Sequence, residues 1–198
     1  MSEFPWPHPT HAEDQPYAKS LLYIHVFHRG FEAGGLIGSL YGSYKLYRHN
    51  QQIQKPSLAP APAPASASAS ASSSALIKNT GMRTIFYPTV ARSSLIGAGA
   101  TMLLLTGRMR GTEDVEWQDR SWRLLENEGQ VMHDLYADVG AAVGAAAGVA
   151  SVVANRLPVS VMVREVVGRA GLGAVVGFVG CEVVRGYRLF TAKGGDNA

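Results

Sequence analysis

Four apolar stretches punctuate the chain, at about 21–44, 84–106, 133–154 and 161–184, and between them the residues turn polar or low in complexity. Each stretch predicts a helix long enough to cross a bilayer, because about twenty residues rising 1.5 Å each traverse a ~30 Å hydrocarbon layer. The first carries Tyr23 and Phe27 near one end and Tyr41, Tyr44 and Tyr47 near the other, as interfacial aromatic belts require. Pro88 falls in the first turn of the second, where a missing N–H costs little. The third and fourth, separated by Pro158, are nearly all Ala, Gly and Val. Such residues gain little from lipid alone, so these helices are expected to pack against protein.

The polar segments read differently. Prolines at 5, 7, 9 and 16 make residues 1–20 an extended tail. Residues 56–75, PSLAPAPAPASASASASSSA, offer almost nothing large to bury and read as a disordered loop. Residues 107–132 read as a short amphipathic helix on the membrane surface. Thr112 is its cap, and Glu113, Asp114 and Glu116 favour its positive end. Val115, Trp122 and Leu125 fall on one side, with Trp117 and Trp122 at headgroup level. An ordinary connecting loop is the alternative. Residues 185–198 form a polar tail. The fold class expected is an all-α membrane protein of four transmembrane helices.

Glycine spacing says how those helices meet. Gly30, Gly34, Gly38 and Gly42 recur every four residues, as do Gly140, Gly144 and Gly148, and then Gly173 and Gly177. Ser93, Gly97 and Thr101 make a small-residue version in the second stretch. A stripe of that period is a groove without side chains, where a neighbouring backbone can approach closely. Glycine as a marker of loops does not fit, since the residues between are Val, Ala, Leu and Ile.

Composition agrees with this picture. Charged residues make up 17% of the 198, against about 25% in typical globular proteins. The net charge of +3 comes from scattered Lys and Arg with no basic helix face, which argues against nucleic acid as a partner. Cys181 is the only cysteine, which excludes an internal disulfide and any cysteine-cluster metal site. The first twenty residues have neither the apolar core of a secretory peptide nor the Arg-rich character of a mitochondrial presequence. An organellar address would therefore lie in the mature chain.

Glu32, Arg92, Asp138 and Arg169 fall inside the stretches. Each is costly there, at ~3 kcal/mol on insertion scales, so they are expected to pair. Glu32 and Arg92 come out at similar depth and are the expected intramembrane ion pair, with Arg169 as substitute partner. A pair that locks the bundle is favoured over a proton or solute path, which needs titratable groups in series. His25, His28 and Glu32 share a helix face that could hold a metal. A di-metal bundle needs Glu-x-x-His repeated on another helix, and it is absent. His8, His11, His49 and His133 are scattered. No P-loop, dinucleotide fingerprint or nucleophile motif occurs. The expectation is no catalytic residue, no cofactor and no metal.

The stretch HAEDQPYAKSLLYIHVFHRGFEAGGLIGSLYGSYKLY, the later GAAVGAAAGVASVVAN and the four glycine-bearing runs resemble a known superfamily. It unites channel subunits of the inner-membrane protein-import translocase with an accessory subunit of mitochondrial complex I, NADH:ubiquinone oxidoreductase. Within it, the chain resembles the fungal accessory subunit of the twenty-one-kilodalton class, over about residues 10–50 and 80–190. The import branch is expected to show Arg-x-x-x-Asp, but Arg29 is followed four residues later by Ala33, and Asp138 is preceded by Asp134. Animal relatives of the complex I subunit carry paired cysteines, which a chain with Cys181 alone cannot match.

The resemblance implies a structural, non-catalytic subunit of the respiratory chain in the mitochondrial inner membrane. It implies contacts with other membrane-arm subunits, with phospholipid such as cardiolipin, and with complex III in a supercomplex. An import-translocase or small-channel subunit is the alternative. Lys and Arg number seven in residues 45–83 and 155–165, against eight in the tails and residues 107–133. Charge therefore leaves orientation undecided, and the resemblance implies termini in the intermembrane space.

Overall fold

A computed structural model describes residues 6–54 and 80–195. The 56–75 loop lies outside them. The described residues form five α-helices: α1 (Ala18–Gln54), α2 (Tyr87–Arg108), α3 (Asp114–Glu126), α4 (Glu128–Ala154) and α5 (Val159–Gly195). No strand occurs among the described residues.

Local chemistry sets the helix ends. A π-helical turn, Met82–Phe86, leads into α2 just before Pro88, widening the backbone where proline removes a donor. At the start of α4 the Asn127 side chain accepts the Gln130 N–H at 3.2 Å, satisfying a free first-turn donor. At its far end Leu157 N–H bonds to Val152 O and Arg156 N–H to Val153 O. Arg156 stands between them at φ 49°, the left-handed position usually given to glycine. Pro158 then opens the way into α5.

The four long helices form two antiparallel pairs. In one, α1 runs down and α2 runs back, so that Gly30 lies beside Gly97 and Gly42 beside Phe86. In the other, α4 runs down and α5 back, with Gly177 beside Tyr136 and Gly148 beside Val166. The pairs meet chiefly along α2 and α5, where Gly168 lies against Tyr87 and Gly171 against Ser94. The start of α1 and the end of α5 therefore lie at one end of the bundle.

Where α2 meets its neighbours at mid-bundle the buried residues are small: Val90 and Ser94 are fully buried, and Ala91 and Ala98 nearly so. Large apolar residues lie outside, with Ile96 71%, Leu103 76% and Val153 71% exposed. That inversion suits an apolar surrounding, since lipid gives such side chains no reason to turn inward. Met82–Arg108, Glu128–Ala154 and Val159–Arg188 are long and apolar enough to cross a membrane. Three helices thus meet the requirement where four were expected. In α1, Gly, Ser, Tyr and His hold many positions that Val and Leu fill elsewhere, and Arg29 and Glu32 dilute it further.

The polar segments are more ordered than the sequence suggests. Trp6 onward does not trail away as an extended tail to residue 20: a 3-10 turn at Ala12–Asp14 precedes α1, which begins at Ala18. Trp122 Nε1 donates to Pro9 O at 2.9 Å, and the His8 ring stacks on Trp122. Gln15, 2% exposed, donates to Pro7 O. Thr112 does not cap α3; its hydroxyl turns back to Met109 O, and the cap is Glu113. The buried face of α3 is Trp117 and Ser121, while Val115 is exposed. Trp117 completes a small core with Ala18, Leu22, Leu105 and Met109. Nor does a tail begin at 185, since α5 continues to Gly195.

Candidate functional site

The features with chemical consequence are the surfaces where helices meet. Within the first pair, an added Cβ at Gly34 would strike the Ser93 carbonyl, and at Gly30 the Thr101 hydroxyl. At Gly38 it would stand 2.8 Å from Val90 Cα, and at Gly42 3.1 Å from the Phe86 ring. Within the second pair, Gly140 and Gly173 meet backbone to backbone, Gly144 lies on Arg169 O, and Gly177 lies on Tyr136 O. Gly148 would place a Cβ 2.7 Å from Val166 Cα. Gly42 apart, where the Phe86 ring need yield only slightly, none of these positions has room for a side chain. By contrast Gly99, Gly107 and Gly180 face open space.

Ionisable side chains add to the glycine contacts at both ends of the bundle, across the pairs and within the second. At the upper end, His25 Nδ1 lies 2.6 Å from Asp134 Oδ2, and His28 3.2 Å from Asp138. Arg29 bridges Asp134 at 3.3 Å and Glu32 at 3.4 Å. His133 reaches Glu182 at 2.5 Å within the second pair. At the lower end, Glu165, only 1% exposed, accepts from Arg169 Nη2 at 2.8 Å and from the Ser151 hydroxyl at 3.1 Å. Arg83 joins from the first pair, 3.2 Å from Ser151 and 3.8 Å from Glu165. The Arg169 guanidinium lies over the Tyr87 ring at 4.6 Å.

The expected Glu32–Arg92 pair does not form. Glu32 takes Arg29, one turn earlier on its own helix, while Arg92 is exposed beside Lys45 and Arg164. Gly30 beside Gly97 and Gly34 on Ser93 set Glu32 about one turn along α2 from Arg92, and rotation separates them further. Val90, Ser93 and Gly97 face α1, and Arg92, two residues from Ser94, points about 200° round the helix from it. Arg169, the substitute, is engaged by Glu165. His25, His28 and Glu32 do share one side of α1, but each histidine meets an aspartate of α4. Among the described residues, no three of His, Cys, Asp and Glu come together as a metal site.

Sequence reasoning passed over Arg29, Arg83, Asp134 and Glu165. Two signals were available. Glu165 and Arg169 stand four apart, the spacing of neighbours on a helix face. Asp134 and Asp138 repeat the three-to-four spacing of His25, His28 and Glu32 on another helix.

A family described as "Protein of unknown function (DUF1757)" matches residues 10–184, and the chain belongs to it. No curated protein and no solved structure matches the chain.

Proposed function

We propose that the chain is a non-catalytic accessory subunit of the membrane arm of mitochondrial complex I, held in the inner membrane by four helices packed as glycine zippers. The observation that carries the reading is the pairing of side-chain-free contacts inside with large apolar residues outside. A body of that kind is suited to filling space among other membrane helices. Its resemblance over residues 10–50 and 80–190 to the complex I accessory subunit supplies the particular assembly.

On this reading α1 crosses the membrane as the fourth span. Its outer face exposes Ile37 and Leu40, and His25, His28 and Arg29 turn toward α4. The apolar faces of α4 and α5, including Val143 and Val176, meet other subunits or lipid, and the termini lie in the intermembrane space. The chain adds cohesion to the arm and contributes no redox group.

One observation favours the alternative, a channel or import-translocase subunit. The His25–Asp138 seam is partly open, with the Asp138 side chain 49% exposed, which gives a polar path its first groups.

Affinity purification through a tag on the full chain separates the readings. NADH dehydrogenase activity is expected to co-purify. Recovery of import machinery without that activity would establish the alternative instead.

A further inference from the structure

At the lower end of the bundle, away from α3, a groove of about 520 Å³ opens between α1, α2 and α5. Lys45, Arg48 and His49 reach it from α1, Arg92 from α2 and Arg164 from α5, and no Asp or Glu lines it. Elsewhere at this end Arg83 and Arg169 are held by a shared carboxylate, Glu165. The cations in the groove are not. Lys45 and Arg48 lie over the rings of Tyr41 and Tyr44 on their own helix, at 4.7 and 5.9 Å. Arg92 and Arg164 meet no carboxylate among the described residues, and the connecting residues 55–79 contain no acid. Four permanent cations around one concavity repel one another, and an anion between them removes the repulsion.

What the anion is attached to follows from the surface above it. From Arg48, steps of four, four and three along α1 lead to Tyr44, Leu40 and Ile37, exposed by 54%, 67% and 64%. From Arg92, steps of four and seven along α2 lead to Ile96 and Leu103, exposed by 71% and 76%. Each track rises eleven residues from its arginine, about 16 Å, or half of a ~30 Å hydrocarbon core. A basic seat below and two apolar tracks one leaflet long above match a headgroup and its acyl chains.

We infer that this groove binds the headgroup phosphate of an anionic glycerophospholipid, whose chains lie along the exposed tracks of α1 and α2. Guanidinium groups of Arg92 and Arg164 take the phosphate oxygens from opposite walls, and Lys45 and Arg48 add charge from the third. The inference rests on the chain lying in a bilayer, and on no particular assembly.

The test uses the full chain, purified and delipidated in a neutral maltoside detergent, with bound lipid counted by native mass spectrometry. Phosphatidylglycerol is expected to bind at least about ten-fold more than phosphatidylcholine. R92Q/R164Q is expected to abolish that preference, and R92K/R164K to keep most of it. R185Q/R188Q, at the other end of the bundle, is expected to leave it intact. Should R92Q/R164Q not stay monodisperse, K45Q/R48Q reads the same groove through two exposed side chains.

Equal binding of the two lipids, or equal loss in R185Q/R188Q, would overturn the inference. So would displacement of phosphatidylglycerol by millimolar inorganic phosphate, which would make the groove a free-anion site. Preference for a polyglutamate peptide over the lipid would reassign it to an acidic protein partner. Flotation with phosphatidylcholine vesicles separates the levels: a chain that floats without lipid preference loses only the groove, and one that does not float loses the membrane reading as well.

Discussion

Within each helix pair, side-chain-free contacts recur turn after turn, whereas between the pairs there are a few of them, Gly168 on Tyr87 and Gly171 on Ser94, joined by charge at both ends. Gly34 on Ser93 and Gly144 on Arg169 bring backbones together with no side chain between them. The pairs are joined at one end by His25, His28 and Arg29 with Asp134 and Asp138, and at the other by Arg83 reaching Ser151 and Glu165. The difference is one of range. Backbone contact gains dispersion and weak Cα–H···O bonds only over the last few tenths of an ångström, so it demands small residues at every turn. Ion pairs span a wider gap, and in a medium of low dielectric they also select one partner over others.

The comparison is broken hardest at the lower knot. Arg169→Leu leaves Glu165 buried with Ser151 and a distant Arg83, and a buried charge stripped of its partner costs about 3–5 kcal/mol. Thermal unfolding of the detergent-solubilised chain should fall accordingly, with Glu165→Gln in the same background restoring part of the loss.

Next come the glycines. Gly34→Leu forces α1 off the Ser93 carbonyl, at a cost of up to about 3 kcal/mol. The same substitution at Gly99, which faces open space, should leave the unfolding temperature nearly unchanged. Equal effects at both sites would show that the stripe is not a contact.

At the upper seam, Asp134→Asn weakens two charge-assisted contacts, to His25 and Arg29, and should cost about 2 kcal/mol in the same assay. The smallest change runs the other way. Gly99→Ala adds a methyl where nothing is met and should stabilise by about 1 kcal/mol or less, through helix propensity alone.

These contrasts mark what is legible in a sequence of this kind. Long apolar runs bounded by Pro158 or by polar residues reveal helices, and a spacing of four reveals the stripes holding Gly30–Gly42 and Gly140–Gly148. Neither says which neighbour a stripe faces. The Glu32–Arg92 expectation misses by about a turn in depth and by rotation. Arg92 stands on the far side of α2, and Glu32 had a nearer cation in Arg29. Apolarity marks only residues 21–44 of α1, while the helix itself runs from Ala18 to Gln54. Backbone hydrogen bonding continues where hydropathy does not. Trp117 was placed at headgroup level because tryptophan favours that depth; its burial against Leu22, Leu105 and Met109 depends on where α1 and α2 end.

On the proposed function, the chain is a fitted part of complex I. Native electrophoresis of mildly solubilised mitochondrial membranes tests it most directly, with the tagged chain located beside in-gel NADH dehydrogenase activity. The account predicts that the native chain migrates with the active band and that Gly34→Leu is lost from it while Gly99→Leu remains. A native chain that runs apart from that band, alone or with the import machinery, would contradict it.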